Sequence, residues 1–95
     1  MDLNEYLARP SSLTVSALRE KMVELGSSIK SDAQIRQWQH RYAGRLPDPA
    51  NCVLIERATC DHVARWDLRP DDWFEIWPEI IGKVGAPAIP TKAVA

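Results

Sequence analysis

The sequence predicts an all-α fold, a small bundle of about five helices in a chain long enough for one domain. Apolar side chains recur at helical spacing in several segments, and residues that cap helices precede those segments. The chain has 95 residues, 45% hydrophobic content and four tryptophans, which suffices for a core without disulfides or metals. We expect one domain over residues 1–81 and a flexible C-terminal tail over residues 82–95.

The first two predicted helices are bounded by recognisable cap and stop residues. The first begins at the cap Asp2 and ends before Pro10, with an apolar face of Leu3, Tyr6 and Leu7. Thr14 and Ser16 are alternative caps for the second helix, and Gly26 marks its end. The apolar face of this second helix consists of Val15, Leu18, Met22 and Leu25.

A third helix is predicted over residues 32–43. Ser31 and Gln34 have the spacing of a capping box, and Gly44 is suited to a left-handed stop. Its inward face repeats at i, i+3 and i+7, as Ile35, Trp38 and Tyr42. Together the second and third helices, separated by a turn that contains glycine, match a helix-turn-helix.

The remaining segments predict two further helices and leave room for one short extended arm. Asp48 and Pro49 are a cap and a first helical residue, and Cys52, Val53, Ile55 and Ala58 would face inward. Residues 63–68 alternate loosely and suit an extended arm. The last helix opens at residues 70–72 and is kinked or broken at Pro78. Its apolar face suits the core and equally suits a homodimer interface, which we predict to contain Trp73, Ile76, Trp77 and Ile80.

Positive charge is concentrated in one segment of a chain whose net charge is −1. Residues 30–45 contain four basic side chains and one acidic side chain, whereas the segments on both sides carry a net negative charge. Such a distribution is typical of a surface that faces phosphates, although a solvated helix face would also produce it. The sequence therefore points to nucleic acid, and the third helix is the element that would enter a major groove.

Three strings resemble the Cro-like and YdaS-type regulators of phages and prophages. They are Ile35-Arg36-Gln37-Trp38, residues 52–59 (CVLIERAT) and residues 63–73 (VARWDLRPDDW). The resemblance implies a Cro/repressor-like helix-turn-helix domain that represses transcription by occupying an operator, in YdaS systems often as an antitoxin-like partner. The stretch between Gly26 and Ile35 is longer than the family's usual turn.

The resemblance also assigns residues on the third helix. Aligning the family's recognition helix on Ile35 and Trp38 places these two side chains inward and the others toward the groove. Asp32 is then a charged residue at the start of the helix. The implied base contacts are Ala33, Arg36, Gln37, His40 and Arg41. Arginine pairs with guanine and glutamine with adenine through two hydrogen bonds each. The expected phosphate contacts are Lys30, Ser31 and Arg45.

Other classes of function receive less support from the residues. We expect no catalytic residues, no metal and no cofactor, because Cys52, Cys60 and His62 lack a ligand spacing and Asp71 and Asp72 diverge on a helix. No apolar run approaches ~20 residues and the start has no export signal, so we expect a cytoplasmic protein with free thiols. RNA binding is disfavoured by the lack of predicted exposed aromatics. The alternative is a protein-interaction module for a toxin or for RNA polymerase, whereas the favoured partner is an operator duplex bound by a homodimer.

Overall fold

The structure, a computed structural model, describes residues 1–89 and is all-helical over that range. The all-α prediction is confirmed, with six α-helices where about five were expected. These are α1 Leu3–Leu7, α2 Val15–Glu24, α3 Asp32–His40, α4 Pro49–Ala58, α5 Arg65–Leu68 and α6 Trp73–Ile76. Single 3-10 turns follow α3 and α6, at Tyr42–Gly44 and Pro78–Ile80. Helix α6 therefore breaks before Pro78, as predicted.

Three helices begin at the residues that the sequence indicated. The carboxylate of Asp2 accepts a hydrogen bond from the Glu5 amide at 2.8 Å, and the Glu5 carboxylate accepts one from the Asp2 amide at 3.2 Å. The Thr14 hydroxyl, rather than Ser16, caps α2. Asp48 caps α4, whose first residue is Pro49. These caps satisfy amides that have no partner inside the helix, so they fix the helix starts locally.

Helix α2 ends in a turn that requires glycine. Gly26 has φ +109°, a conformation that side chains rarely adopt. The Ser27 amide donates to the Met22 carbonyl at 2.9 Å and the Gly26 amide donates to the Val23 carbonyl at 3.0 Å. This pair of hydrogen bonds is the Schellman motif, so the predicted stop at Gly26 is confirmed.

The core lies between α2, α3, α4 and the C-terminal elements. Leu18, Met22, Ile35 and Ile55 are completely buried. Of the four residues predicted to face inward on α4, Cys52, Ile55 and Ala58 are buried and Val53 is half-buried. The rest of the buried apolar cluster comes from α1, from the connection between α2 and α3 and from the segment after α4, and consists of Leu3, Tyr6, Ile29, Val63, Leu68, Trp73, Trp77 and Ile80.

The apolar face of α6 belongs to this core, which corrects the predicted dimer interface. Trp73, Trp77 and Ile80 are 1%, 8% and 5% exposed, and Ile76 is half-buried. The Trp73 ring makes edge contacts with Trp66 and Phe74, at centroid distances of 5.9 and 5.8 Å. A domain of this size has few large side chains with which to fill a core, so the protomer itself uses them.

The predicted extended arm at residues 63–68 is wrong, because α5 occupies it. Val63 and Leu68 are both buried, a spacing of five that does not fit strand alternation. The Asp67 carboxylate accepts a hydrogen bond from the Ala64 amide at 2.9 Å and thereby closes the first turn of α5. The side chain of a residue inside the segment thus selects the helical conformation.

The predicted start of the third helix at residue 32 is confirmed, but its predicted capping box and its predicted end need correction. Ser31 makes no side-chain capping bond, and the Gln34 side chain accepts from the Lys30 amide at 3.3 Å instead of completing a capping box. At the other end α3 stops at His40 rather than at residue 43. Arg41 has the left-handed φ of +50°, and its guanidinium donates to the Asp67 carbonyl at 3.1 Å. This contact with α5 stabilises the early stop.

The predicted tail, residues 82–95, is described only as far as Ile89, and residues 90–95 lie outside the described residues. Within the described part, the Ala86 amide donates to the Lys83 carbonyl at 2.9 Å, and Ala86 packs partly buried against the core. Across residues 1–89, no helix has the length and apolar character needed to cross a bilayer.

Candidate nucleic-acid interface

Helix α3 is fastened to α2 at its first residue. The Asp32 carboxylate accepts hydrogen bonds from the Ser16 hydroxyl and from the Arg19 guanidinium, each at 2.6 Å. The Ser16 hydrogen bond and then the Arg19 hydrogen bond lower the pKa of Asp32 below its usual value of 3.8. Asp32 thus begins the helix, as predicted, and in addition ties its start to the preceding helix.

The buried side of α3 determines which side faces solvent. Ile35 is completely buried and Trp38 is half-buried against the core, so the inward placement of these two residues is confirmed. Gln39 also ties α3 to α1, since its amide donates to the Asn4 side chain at 3.1 Å. Of the base-contact candidates, Ala33, Arg36 and His40 are exposed and Gln37 is half-buried.

These four positions share one helix face, since residues spaced i, i+3, i+4 and i+7 lie along one side of a helix. The surface that they form, Ala33, Arg36, Gln37 and His40, is called the α3 outer face below. It presents a guanidinium, a carboxamide and an imidazole, all of which can donate hydrogen bonds. The structure therefore brings together four of the five residues proposed to read bases.

Arg41 is the fifth candidate, and the structure does not place it on the α3 outer face. It follows the last helical residue, and its side chain is directed back to α5 through the hydrogen bond to the Asp67 carbonyl. It also borders a cavity of about 320 Å³ with Trp38 and His40. The expectation of a helix through residue 43 had put Arg41 on the groove side.

The proposed phosphate contacts flank α3 at both ends. Lys30 and Ser31 are exposed immediately before the helix, and Arg45 is exposed after it. Within residues 1–89, none of Lys30, Arg36, Arg41 and Arg45 makes a salt bridge. The segment's one acidic residue, Asp32, is already paired with Arg19 of α2. The four basic side chains of residues 30–45 thus form no salt bridge within the described part of the chain.

Tyr42 departs most from the sequence-based expectation. It was predicted to face inward with Ile35 and Trp38, yet 66% of its surface is exposed. The Arg45 guanidinium carbon lies 5.9 Å from the centroid of its ring. The premise used against RNA binding, a lack of exposed aromatics, is therefore wrong. No sequence signal marks this residue, because its exposure results from the early end of α3.

The two cysteines lie in different environments. Cys52 is completely buried, and its thiol donates to the Pro47 carbonyl at 3.4 Å. Burial raises the pKa of this thiol to about 12, which opposes formation of a nucleophilic thiolate. Cys60 is exposed in the turn after α4. In residues 1–89 no three His, Cys, Asp or Glu side chains are grouped so that they could hold a metal ion.

Comparison with known proteins gives no match: neither a family model, nor a curated protein, nor a solved structure is similar to this chain. The resemblance of the three strings to Cro-like and YdaS-type regulators thus stays a prediction from the sequence.

Proposed function

We propose that the protein is a sequence-specific double-stranded DNA-binding transcriptional repressor that acts by occupying its operator. One observation carries the proposal: hydrogen-bonding side chains on the α3 outer face lie within a segment of net charge +3, in a chain of net charge −1. Base edges require donors and acceptors on a helix that fits the major groove, and phosphates require cations beside it. An interaction module for a toxin or a polymerase requires neither feature.

In this proposal each part of α3 has a separate task. Ile35 and Trp38 hold the helix on the core, while Asp32 fixes its start against α2. Arg36 and Gln37 then read base edges, with Ala33 and His40 beside them on the same face. Lys30, Ser31 and Arg45 contact phosphates, which set the register of the helix without reading sequence. Repression follows from occupancy, without a chemical step.

One recognition helix reads few base pairs, and we therefore propose that two protomers bind a two-fold operator. The surface that joins them differs from the one first expected, because Trp73, Trp77 and Ile80 are buried within the protomer. A cognate toxin partner, as in the YdaS systems that the sequence resembles, is a further proposal that depends on the same resemblance.

The test is a fluorescence-anisotropy titration with the DNA upstream of the protein's own gene, alongside an unrelated duplex of equal length. We expect tighter binding to the upstream duplex. Arg36→Gln should reduce that preference, because discrimination at one base-pair position is lost, whereas Arg57→Gln, an equal change of charge at an exposed residue of α4, should preserve it. Equal affinity of the wild-type protein for both duplexes, followed by failure to enrich any sequence from a randomised duplex pool, would overturn the proposal.

A further inference from the structure

The turn that follows α3 exposes an aromatic ring, whereas every other Phe, Tyr and Trp side chain of the described residues is buried or half-buried. Tyr42 is 66% exposed, whereas Tyr6, Trp73 and Trp77 are 7%, 1% and 8% exposed. Tyrosine at a protein surface supplies a large contact area and a hydroxyl at little cost in conformational entropy, and it is enriched at binding surfaces. The exposed ring of Tyr42 therefore requires an explanation other than core packing.

The backbone directs this ring outward. Continuing α3 through residue 42 would place Tyr42 on the buried side with Ile35 and Trp38. Instead Arg41 and Ala43, on either side of Tyr42, adopt left-handed conformations with φ of +50° and +53°. Such conformations are unfavourable for residues other than glycine, and they concentrate at functional sites. The two left-handed residues thus turn the Tyr42 ring away from the core and into solvent.

Hydrogen bonds hold the turn in this conformation. The Gly44 amide donates to the Arg41 carbonyl at 2.9 Å, and the Arg45 amide donates to the Tyr42 carbonyl at 3.0 Å. The Arg41 guanidinium ties the start of the turn to α5 through the Asp67 carbonyl at 3.1 Å. The backbone that bears Tyr42 and Arg45 is thus already ordered before a partner binds, which reduces the backbone entropy lost on binding.

The charge around the ring specifies an anionic partner. No acidic residue occurs from residue 33 to residue 47, while three arginines do. The Arg45 guanidinium carbon is 5.9 Å from the centre of the Tyr42 ring, so a planar donor lies beside a phenol. Both groups donate hydrogen bonds to phosphate oxygens, and an aromatic face packs against a sugar. A sugar-phosphate backbone combines these two features.

We propose that Tyr42 and Arg45 form a second DNA contact, which grips one phosphate and its deoxyribose at the edge of the groove that α3 enters. The proposal rests on the proposed function, since the turn begins directly after His40, the last residue of α3. A helix lying in the major groove brings the segment after its end against one strand of the duplex. This contact is independent of sequence and adds Tyr42 to the phosphate-binding residues.

The test compares Tyr42→Ala, Tyr42→Phe and Arg45→Gln with the wild-type protein. The probes are the upstream duplex, an unrelated duplex and a single strand of the upstream sequence. Two exposed residues outside the segment provide matched controls, Val84→Ala for loss of apolar surface and Arg57→Gln for loss of charge. Circular dichroism checks that each variant is folded, which we expect because Tyr42 contributes little to the core.

We expect Tyr42→Ala and Arg45→Gln to weaken both duplexes by the same factor, about 10-fold, with Tyr42→Phe in between. The preference for the upstream duplex should not change. Arg45→Gln should also reduce the salt slope by about 0.9, whereas Tyr42→Ala should leave the slope unchanged. The two control variants should bind like the wild type.

Other outcomes separate the two proposals. If the wild-type protein binds the upstream duplex and folded Tyr42→Ala binds it equally well, the second contact is absent and the proposed function survives. If the wild-type protein prefers the single strand and Tyr42→Ala removes that preference, the ring stacks on unpaired bases and the duplex contact is overturned. If the wild-type protein binds no duplex, both proposals fail.

Discussion

Ala43 has the left-handed φ of +53° without being glycine, and its free-energy cost can be measured. This conformation costs an L-residue roughly 1–2 kcal/mol, and glycine avoids it. Glycine also gives the unfolded chain more conformational freedom, and this entropy offsets roughly 0.5–1 kcal/mol of the gain from relieved strain. We therefore expect Ala43→Gly to raise the free energy of unfolding by about 0.5–1 kcal/mol, as measured by urea denaturation.

Ala33 provides the matched control for this prediction. It is exposed in the first turn of α3, where the backbone is helical and glycine has no strain to relieve. Ala33→Gly should lower the free energy of unfolding, by up to about 1 kcal/mol. If both substitutions destabilise the protein alike, Ala43 carries no strain.

Arg36 and Gln37 are adjacent on the α3 outer face, and their separate replacement tests which bases they read. Each alanine variant should lose roughly 1–3 kcal/mol of discrimination at one base-pair position and leave the other positions unaffected. The measurement is competition binding against a set of upstream duplexes with single base-pair changes. Lys30→Ala provides the contrast, because loss of a phosphate contact weakens all sequences equally. An unchanged base preference in both alanine variants would mean that another face of α3 meets the DNA.

At the scale of elements, the contact between α2 and α3 should make stability depend on pH. The pKa of Asp32 is below 3.8 in the folded state, because Ser16 and Arg19 donate hydrogen bonds to its charged form. The stabilisation is therefore complete above pH 3.8 and is lost as pH falls through the lower, folded-state pKa. We expect Asp32→Asn to be less stable than the wild type at neutral pH, with a difference that shrinks in acid.

The measurement for Asp32 is thermal unfolding from pH 7 downward, with Asp71→Asn as the matched variant. Asp71 is exposed and makes no salt bridge within residues 1–89, so its replacement should leave the pH dependence close to that of the wild type. A difference between wild type and Asp32→Asn that stays constant across the pH range would show that the charge of Asp32 does not fasten α3.

The elements that could be predicted from the sequence are those whose boundaries depend on local contacts. Asp2, Thr14 and Asp48 each accept a hydrogen bond from an amide three residues onward, and Gly26 takes a conformation that its neighbours require. The end of α3 depends instead on Arg41 reaching the Asp67 carbonyl, 26 residues away. No sequence pattern near residue 41 indicates that hydrogen bond, so the sequence predicted a longer helix.

In the candidate site too, features set by local spacing could be predicted and features set by contacts between elements could not. Helical spacing from the buried Ile35 was enough to predict the outward placement of Arg36 and His40. The roles of Ser16, Arg19 and Tyr42 could not be predicted, since each depends on how separate elements meet. The predicted dimer interface on α6 was wrong for a related reason. An apolar helix face has the same sequence pattern whether it packs inside one protomer or between two.

At the scale of the whole molecule, the distribution of charge would orient the protein on DNA in the proposed function. Residues 30–45 carry a net charge of +3 and the rest of the chain a net charge of −4, so a duplex would be attracted by this segment and repelled by the others. Oriented binding of this kind releases counterions only from the phosphates that the cationic segment meets. The salt dependence of binding therefore counts those phosphates.

That count can also reveal how many protomers bind. If the two basic side chains proposed to contact phosphates, Lys30 and Arg45, each neutralise one phosphate, a single protomer gives a log–log salt slope of about −1.8, at about −0.9 per phosphate. Two protomers on a two-fold operator give about twice that slope, with half-sites about 34–36 Å apart. We expect the steeper slope for the upstream duplex, together with two protomers per duplex by light scattering.

Arg57→Gln should leave the slope unchanged, because α4 lies outside the cationic segment. An affinity that does not change between low and moderate salt would contradict binding through this segment, and a single protomer bound at full affinity would contradict the dimer alone.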